Sequence, residues 1–159
     1  MSLTELGTGS GLYVLTATVS DACDQLRAWG HRAPAERFAR LIRGGKCRTW
    51  TALFDEFAAA LQFPCYFGGN WDAFDECLTD LEGPPASAYL LLISSAAHVL
   101  DKDPLEQRKI FWQTLQRRMD AHLEGKHPGF QVVAQATAQE LGGLRRGLES
   151  AGANYHMLP

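Results

Sequence analysis

Apolar residues recur at helical spacing through Trp50, Leu53, Phe54, Phe57 and Leu61, and again through Trp71, Phe74, Leu78 and Leu81. Thr49 and Asn70 stand just before these two runs, where a side-chain oxygen can cap the first free amides. Pro64 ends the earlier helix, and Gly68 and Gly69 permit a tight turn into the later one. A different rhythm marks the strands. Gly11 to Val19 has strand-like residues, and Arg37 to Arg43 alternates apolar residues with arginines. Ala88 to Ile93 is apolar throughout, as in a strand buried on both faces, and Phe130 to Ala134 is another. Ser20-Asp21 offers a cap for a helix to about Gly30, and Pro84-Pro85 breaks the chain. Asp103-Pro104-Leu105-Glu106 has the order of a helix start, with Asp as N-cap. That helix should reach about Glu124 and bury Leu105, Phe111 or Trp112, Leu115, Met119 and Leu123. A last helix near 138–150 and a short strand near Tyr155 complete the chain.

Strands separated by helices favour parallel pairing through right-handed crossovers. The expected fold is a three-layer α/β domain with a small, mainly parallel sheet of about four strands and helices on both faces. A length of 159 residues suits one domain, without repeats or linkers.

Charge changes the picture for one helix. Opposite its apolar stripe, the run after Asn70 carries Asp72, Asp75, Glu76, Thr79 and Asp80, with Glu82 just beyond. Asp72, Glu76 and Asp80 follow one another at i, i+4 and i+8, so three like charges share a ridge. Such pairs repel by about 0.2–0.5 kcal/mol each, a cost that suits a face built to meet positive charge. Between Thr49 and Asp101 there is no Lys or Arg, although the net charge of the whole chain is only −3. The middle third should therefore project a negative field. Solvated faces on two helices would explain the same pattern without a partner.

The stretch from Phe63 to Leu81 resembles the core motif of the barstar family, intracellular inhibitors of barnase-type ribonucleases. Pro64, Tyr66, Gly68, Asn70, Asp72, Ala73, Cys77, Leu78 and Thr79 fall in register with that motif without a gap. Upstream, Leu41-Ile42-Arg43-Gly44, Arg48-Thr49 and Leu53 keep the family spacing. Downstream the similarity rests on element order and a helix end at Glu124-Gly125. The resemblance covers about residues 37–135, leaving a strand-helix extension at 1–36 and a helix-strand extension at 136–159.

It implies a domain that plugs a basic ribonuclease active site with an acidic helix and the adjoining loop, carboxylates taking the places of phosphates. The residues implied at that contact are Tyr66, Asp72, Asp75, Glu76, Thr79 and Asp80, with Asp120 and Glu124 as a second acidic ridge. Three departures stand out. Asp75 replaces a Trp, Glu76 replaces the family's dominant Asp with one more methylene, and Asp80 replaces a Gly. They fit a homologue matched to a different partner, or one that no longer inhibits.

Other readings stay open. Arg43-Gly44-Gly45-Lys46 between a strand and a helix is a loose phosphate-binding candidate, or a plain turn. Asp72 and Glu76 could pair as acid and base or hold Mg²⁺, although no neighbouring residue in sequence completes a catalytic set. A non-inhibitory interaction domain could reuse the acidic face. Cys23, Cys47, Cys65 and Cys77 and the five histidines lack metal-ligand spacing, so neither a metal nor a cofactor is expected. No signal segment or apolar span is evident, so a cytoplasmic protein without membrane or direct nucleic-acid contact is expected.

Overall fold

The computed structural model describes residues 1–81, 87–123 and 128–159. The expectations for Glu82, Pro84, Pro85, Glu124 and Gly125 lie outside the described residues, as do those for the side chain of Leu123.

Five strands form one sheet: β1 (Gly11–Thr16), β2 (Arg37–Arg43), β3 (Ala88–Ser94), β4 (Gly129–Ala136) and β5 (His156–Leu158). Their order is β2-β3-β4-β1-β5, and every pairing is parallel. The sheet has one strand more than expected, because the three residues of β5 pair with Tyr13, Val14 and Leu15. Five helices connect the strands: α1 (Val19–His31), α2 (Trp50–Leu61), α3 (Trp71–Thr79), α4 (Leu105–Leu123) and α5 (Leu141–Ser150). From β1 the chain crosses to the far edge at β2 and then returns through β3 and β4. Right-handed crossovers require the connecting helices to change faces where the direction reverses. Accordingly α1 packs against one face, and α2, α3, α4 and α5 against the other.

The two cores follow from strand alternation. Leu15, Leu90, Leu92 and Val133 face α1, where Leu26 and Trp29 cover them. Leu91, Ile93, Val132 and Ala134 point the other way, into the larger core with Phe57, Phe74, Phe111 and Leu148. The central strands β3 and β4 are buried along their whole length, whereas β2 alternates. At the start of β4, an added Cβ on Gly129 would collide with the Thr8 carbonyl, so only glycine lets these two segments meet.

Several local expectations shift. The cap of α1 is Thr18, whose hydroxyl accepts the Asp21 N–H, rather than Ser20 or Asp21. The Asp103 carboxylate serves another helix, accepting the Trp50 N–H of α2 at 2.7 Å. Leu105 is half exposed, because the first turn of α4 projects beyond the core, and Trp50 is exposed on α2. Buried in that same helix is Glu56, which accepts two side-chain donors and the main-chain N–H of Arg43. Those bonds hold its carboxyl below the usual range against the opposing effect of burial.

Beyond the carboxyl ends of β3 and β4, His98 lies between two carboxylates. Its ring nitrogens are 3.2 Å from Asp101 Oδ2 and 3.1 Å from Glu140 Oε1. Arg48 holds Asp101 with two further N–H donors, at 2.8 and 2.6 Å. The Thr137 N–H is the main group lowering the Glu140 carboxyl, with the Thr137 hydroxyl and His98 assisting. A carboxyl lowered in the folded state stabilises fully above its ordinary range and stops doing so as pH falls through the lowered value. Urea midpoints of the native chain and Glu140→Gln should therefore differ most above the ordinary glutamate range, at about pH 5 and higher, and draw together as pH falls below that range. A gap that stays constant into acid would contradict this role.

In the larger core, Phe74→Ala should cost about 3–5 kcal/mol in urea unfolding, because five aromatic neighbours cannot collapse into the space it leaves. A loss below about 1 kcal/mol would show that α3 is held by something else.

Candidate functional site

The acidic helix begins where the sequence places it. Gly69 adopts a left-handed backbone at φ +65°, and the Asn70 side chain accepts the Ala73 N–H at 2.8 Å. The helix ends at Thr79, two residues before Leu81, with the Asp80 N–H bonded to the Glu76 carbonyl. Phe74 and Leu78 are fully buried. Trp71 is half-buried: its ring packs on Phe54 and Phe74 while its indole N–H donates to Gln107 of α4 at 2.7 Å.

Opposite these anchors, Asp72, Glu76 and Asp80 are exposed. Among the described residues no Lys or Arg forms an ion pair with any of the three. Asp72 lies in the first turn, where the helix dipole favours an anion, and Asp80 at the end, where it does not. Asp75 is only partly exposed, and Arg117 of α4 stands 3.6 Å from its Oδ2. The Thr79 hydroxyl donates to the Asp75 carbonyl at 2.9 Å. In the preceding loop Tyr66 is three-quarters exposed, at 75%. The structure thus places Tyr66, Asp72, Glu76 and Asp80 on the surface and draws Asp75 and Thr79 partly into contacts within the chain. Asp120 is exposed on α4.

The expected negative field is narrower than the sequence suggests. Arg43 and Arg48 lie just outside the stretch lacking cations, yet they reach in to pair with Glu56 and Asp101. Arg118, also on α4, is buried, donates to the Leu78 carbonyl at 3.1 Å and lies over the Phe130 ring. It places a cation at the carboxyl end of α3, where the dipole is negative. Sequence reasoning missed both Arg117 and Arg118. They come from a helix about forty residues away, and no local signal in α4 points to α3.

The alternative chemistry finds little support in the geometry. Gly44–Lys46 forms a short 3-10 turn in which Gly44 is buried, and a Cβ there would strike the Ser94 carbonyl. Glycine is therefore needed for close approach of the β2 and β3 ends, and the Arg43 guanidinium is already held by Glu56. Burial pushes the Cys47 thiol up to about 12, so it stays protonated. In doubly wound sheets ligands bind beyond the carboxyl ends of the strands, where the winding reverses. Here that point lies between β4 and β1, and the Gln135 side chain fills it, donating to the Ala17 carbonyl and accepting the Ser95 N–H. Among the described residues no group of three His, Cys, Asp or Glu side chains could hold a metal ion, and no helix is long and apolar enough to cross a membrane.

The family model for barstar, described as barnase inhibitor, matches residues 37–135, from the first residue of β2 almost to the end of β4. The chain belongs to the barstar family. No curated protein matches it. The barstar match takes in α2, α3 and α4, hence the acidic ridge and the arginines beside it. β1, α1, α5 and β5 lie outside the match, and they supply the strands on the far side of β4 and the helix on the opposite face.

Proposed function

We propose that the chain blocks a basic, barnase-type ribonuclease by presenting α3 and the loop before it to the enzyme's phosphate-binding cleft. The observation that carries this reading is the ridge of Asp72, Glu76 and Asp80. It is exposed, it has no ion pair among the described residues, and it stands on a helix whose opposite face is fixed in an aromatic core. The packed helix fixes where the carboxylates stand, so binding has to order only their side chains and not the backbone that carries them. Charge-assisted hydrogen bonds to Arg, Lys or His of the enzyme would take the place of those made by substrate phosphates. Tyr66, exposed in the loop before α3, would add an aromatic surface to the contact. In this role the chain binds and occludes, with no catalysis of its own.

The departures from the family pattern bear on which enzyme is bound. Asp75 sits beside Arg117, which offsets part of the added charge, and the ridge keeps its three open carboxylates. Glu76 extends one of these by a methylene, which suits a deeper or wider cationic pocket than a family Asp would reach.

Glu76→Ala and Asp72→Ala should each weaken the complex by about 2–5 kcal/mol, mainly through faster dissociation, because truncation strands a desolvated cation of the enzyme. That range is general to desolvated interfacial charge pairs, of which barnase and barstar are themselves a well-known instance. Surface plasmon resonance against a barnase-type enzyme gives both rates. If neither change weakens capture, α3 is not the interface.

Arg117→Gln should act in the opposite sense. It frees Asp75, so association should speed up at low salt and the gain should fade as the screening length shortens. Stability should change by under about 0.5–1 kcal/mol, since the pair is exposed. Unchanged or slower association at low salt would place Asp75 outside the field that the enzyme meets.

A further inference from the structure

β2 is an edge strand whose hydrogen-bonding phase is set by its pairing with β3. The Ala88 N–H donates to the Glu36 carbonyl, so residues 36, 38, 40 and 42 turn their main chain toward β3. Residues 37, 39, 41 and 43 turn theirs outward. At the two ends these outward amides are already taken: Arg37 N–H by the Ala33 carbonyl at 2.9 Å, and Arg43 N–H by Glu56 at 3.0 Å. Between them Ala39 and Leu41 direct their N–H groups to the open edge. The Ala39 carbonyl accepts from Arg40 Nη1 and keeps a second lone pair. Among the described residues the edge is thus closed at both ends, with the Ala39 and Leu41 N–H groups left between them as a window for a short added strand.

Beside this window, on the α1 face of the sheet, a groove of about 410 Å³ runs between α1 and β2. Leu26 and Leu41 are among the apolar residues lining it, Arg27, His31 and Arg37 bring polar groups, and Arg40, whose Nε reaches back to the Ala60 carbonyl of α2, stands at its rim on the strand edge; no described lining residue has a carboxylate. Arg27 is paired with Asp24 at 3.3 Å, but both side chains are about two-thirds exposed, so the pair is weak and readily exchanged. Arg37 and Arg40 are held in place by main-chain carbonyls and ring faces, and neither forms an ion pair among the described residues.

We propose that the β2 edge and this groove receive an extended acidic segment of a partner protein as an added strand. The open amides select an extended main chain, and alternate side chains of that strand would point into the groove. The cations select carboxylates. A second copy of this chain is a poor occupant, because pairing two β2 edges would set Arg37, Arg40 and Arg43 against their own kind. The groove lies on the face opposite α3, so this surface and the acidic ridge could be occupied together.

The test uses the intact chain and two labelled peptides, one alternating valine with glutamate and the other valine with lysine. Fluorescence anisotropy should show the glutamate peptide binding at least about tenfold more tightly than the lysine peptide. Hydrogen exchange should slow at the Ala39 and Leu41 amides when the glutamate peptide is present. Arg27→Glu, on an exposed helical face, should keep the fold and weaken the glutamate peptide by about tenfold. Leu41→Pro removes an outward amide at a position where an edge strand tolerates proline, and should abolish the added protection. Equal binding of the two peptides, no binding of either, protection elsewhere in the chain, or unchanged affinity of Arg27→Glu would each overturn the proposal. So would sedimentation showing that the free protein is a dimer joined through β2.

Discussion

The packing of Phe74 is the constraint on which the acidic face depends. Its ring lies between 5.1 and 6.3 Å from those of Phe54, Phe57, Phe63, Trp71 and Phe111, contributed by α2, the loop after it, α3 itself and α4. Several of these pairs meet edge to face, the geometry that aromatic quadrupoles favour. A nine-residue helix with like charges along one side would not hold its shape alone. Burying Phe74 and Leu78 in this cluster fixes its position and rotation, and that rotation decides which carboxylates face water. The cost of the charged ridge is thus met by apolar burial on the other side of the same helix.

The arginines show how the chain confines its negative charge. Glu56 and Asp101 are carboxylates like the ridge residues, yet Arg43 and Arg48 bind them with several donors each and hold both carboxyls low. Arg118 is spent on the carboxyl end of α3, and Arg117 on Asp75. Ridge positions 72, 76 and 80 stand apart from these pairs. A linear count of charge overstates the field for this reason: folding brings cations from β2, from the segment before α2 and from α4 into the acidic middle of the sequence.

Much of the fold was legible because its signals are local. The apolar run of β3, the Thr49 and Asn70 caps and the spacing of α2 and α3 each specify an element from a few adjacent residues. Where expectation and structure part, the deciding contact is distant. Asp103 reads as the cap of its own helix, but the Trp50 amide lies within its reach across the fold. Leu105 has the right spacing for burial, but α4 begins before the core does. At the acidic ridge, the outward positions of Asp72, Glu76 and Asp80 could be read from the helical period, because Phe74 and Leu78 fix the phase. The partial withdrawal of Asp75 could not, since Arg117 approaches from another helix.

The segments outside the barstar match alter what the matched part can offer. β1 pairs along the whole of its length with β4, which would otherwise form an edge of the sheet, and β5 then covers part of β1. On the α1 face, Leu26 and Trp29 bury side chains of β3 and β4 that α2, α3, α4 and α5 cannot reach. The Trp29 indole N–H donates to the Leu6 carbonyl at 2.8 Å, which ties the amino-terminal turn into that same layer. At the far edge, among the described residues, β2 has β3 on one side and no strand on the other. The added elements therefore shield one flank and one face while leaving the β2 edge open, and the groove beside that edge exists because α1 lies across it. A partner seated there would contact residues from both the added and the matched parts of the chain. The acidic ridge, on the opposite face, belongs to the matched part alone.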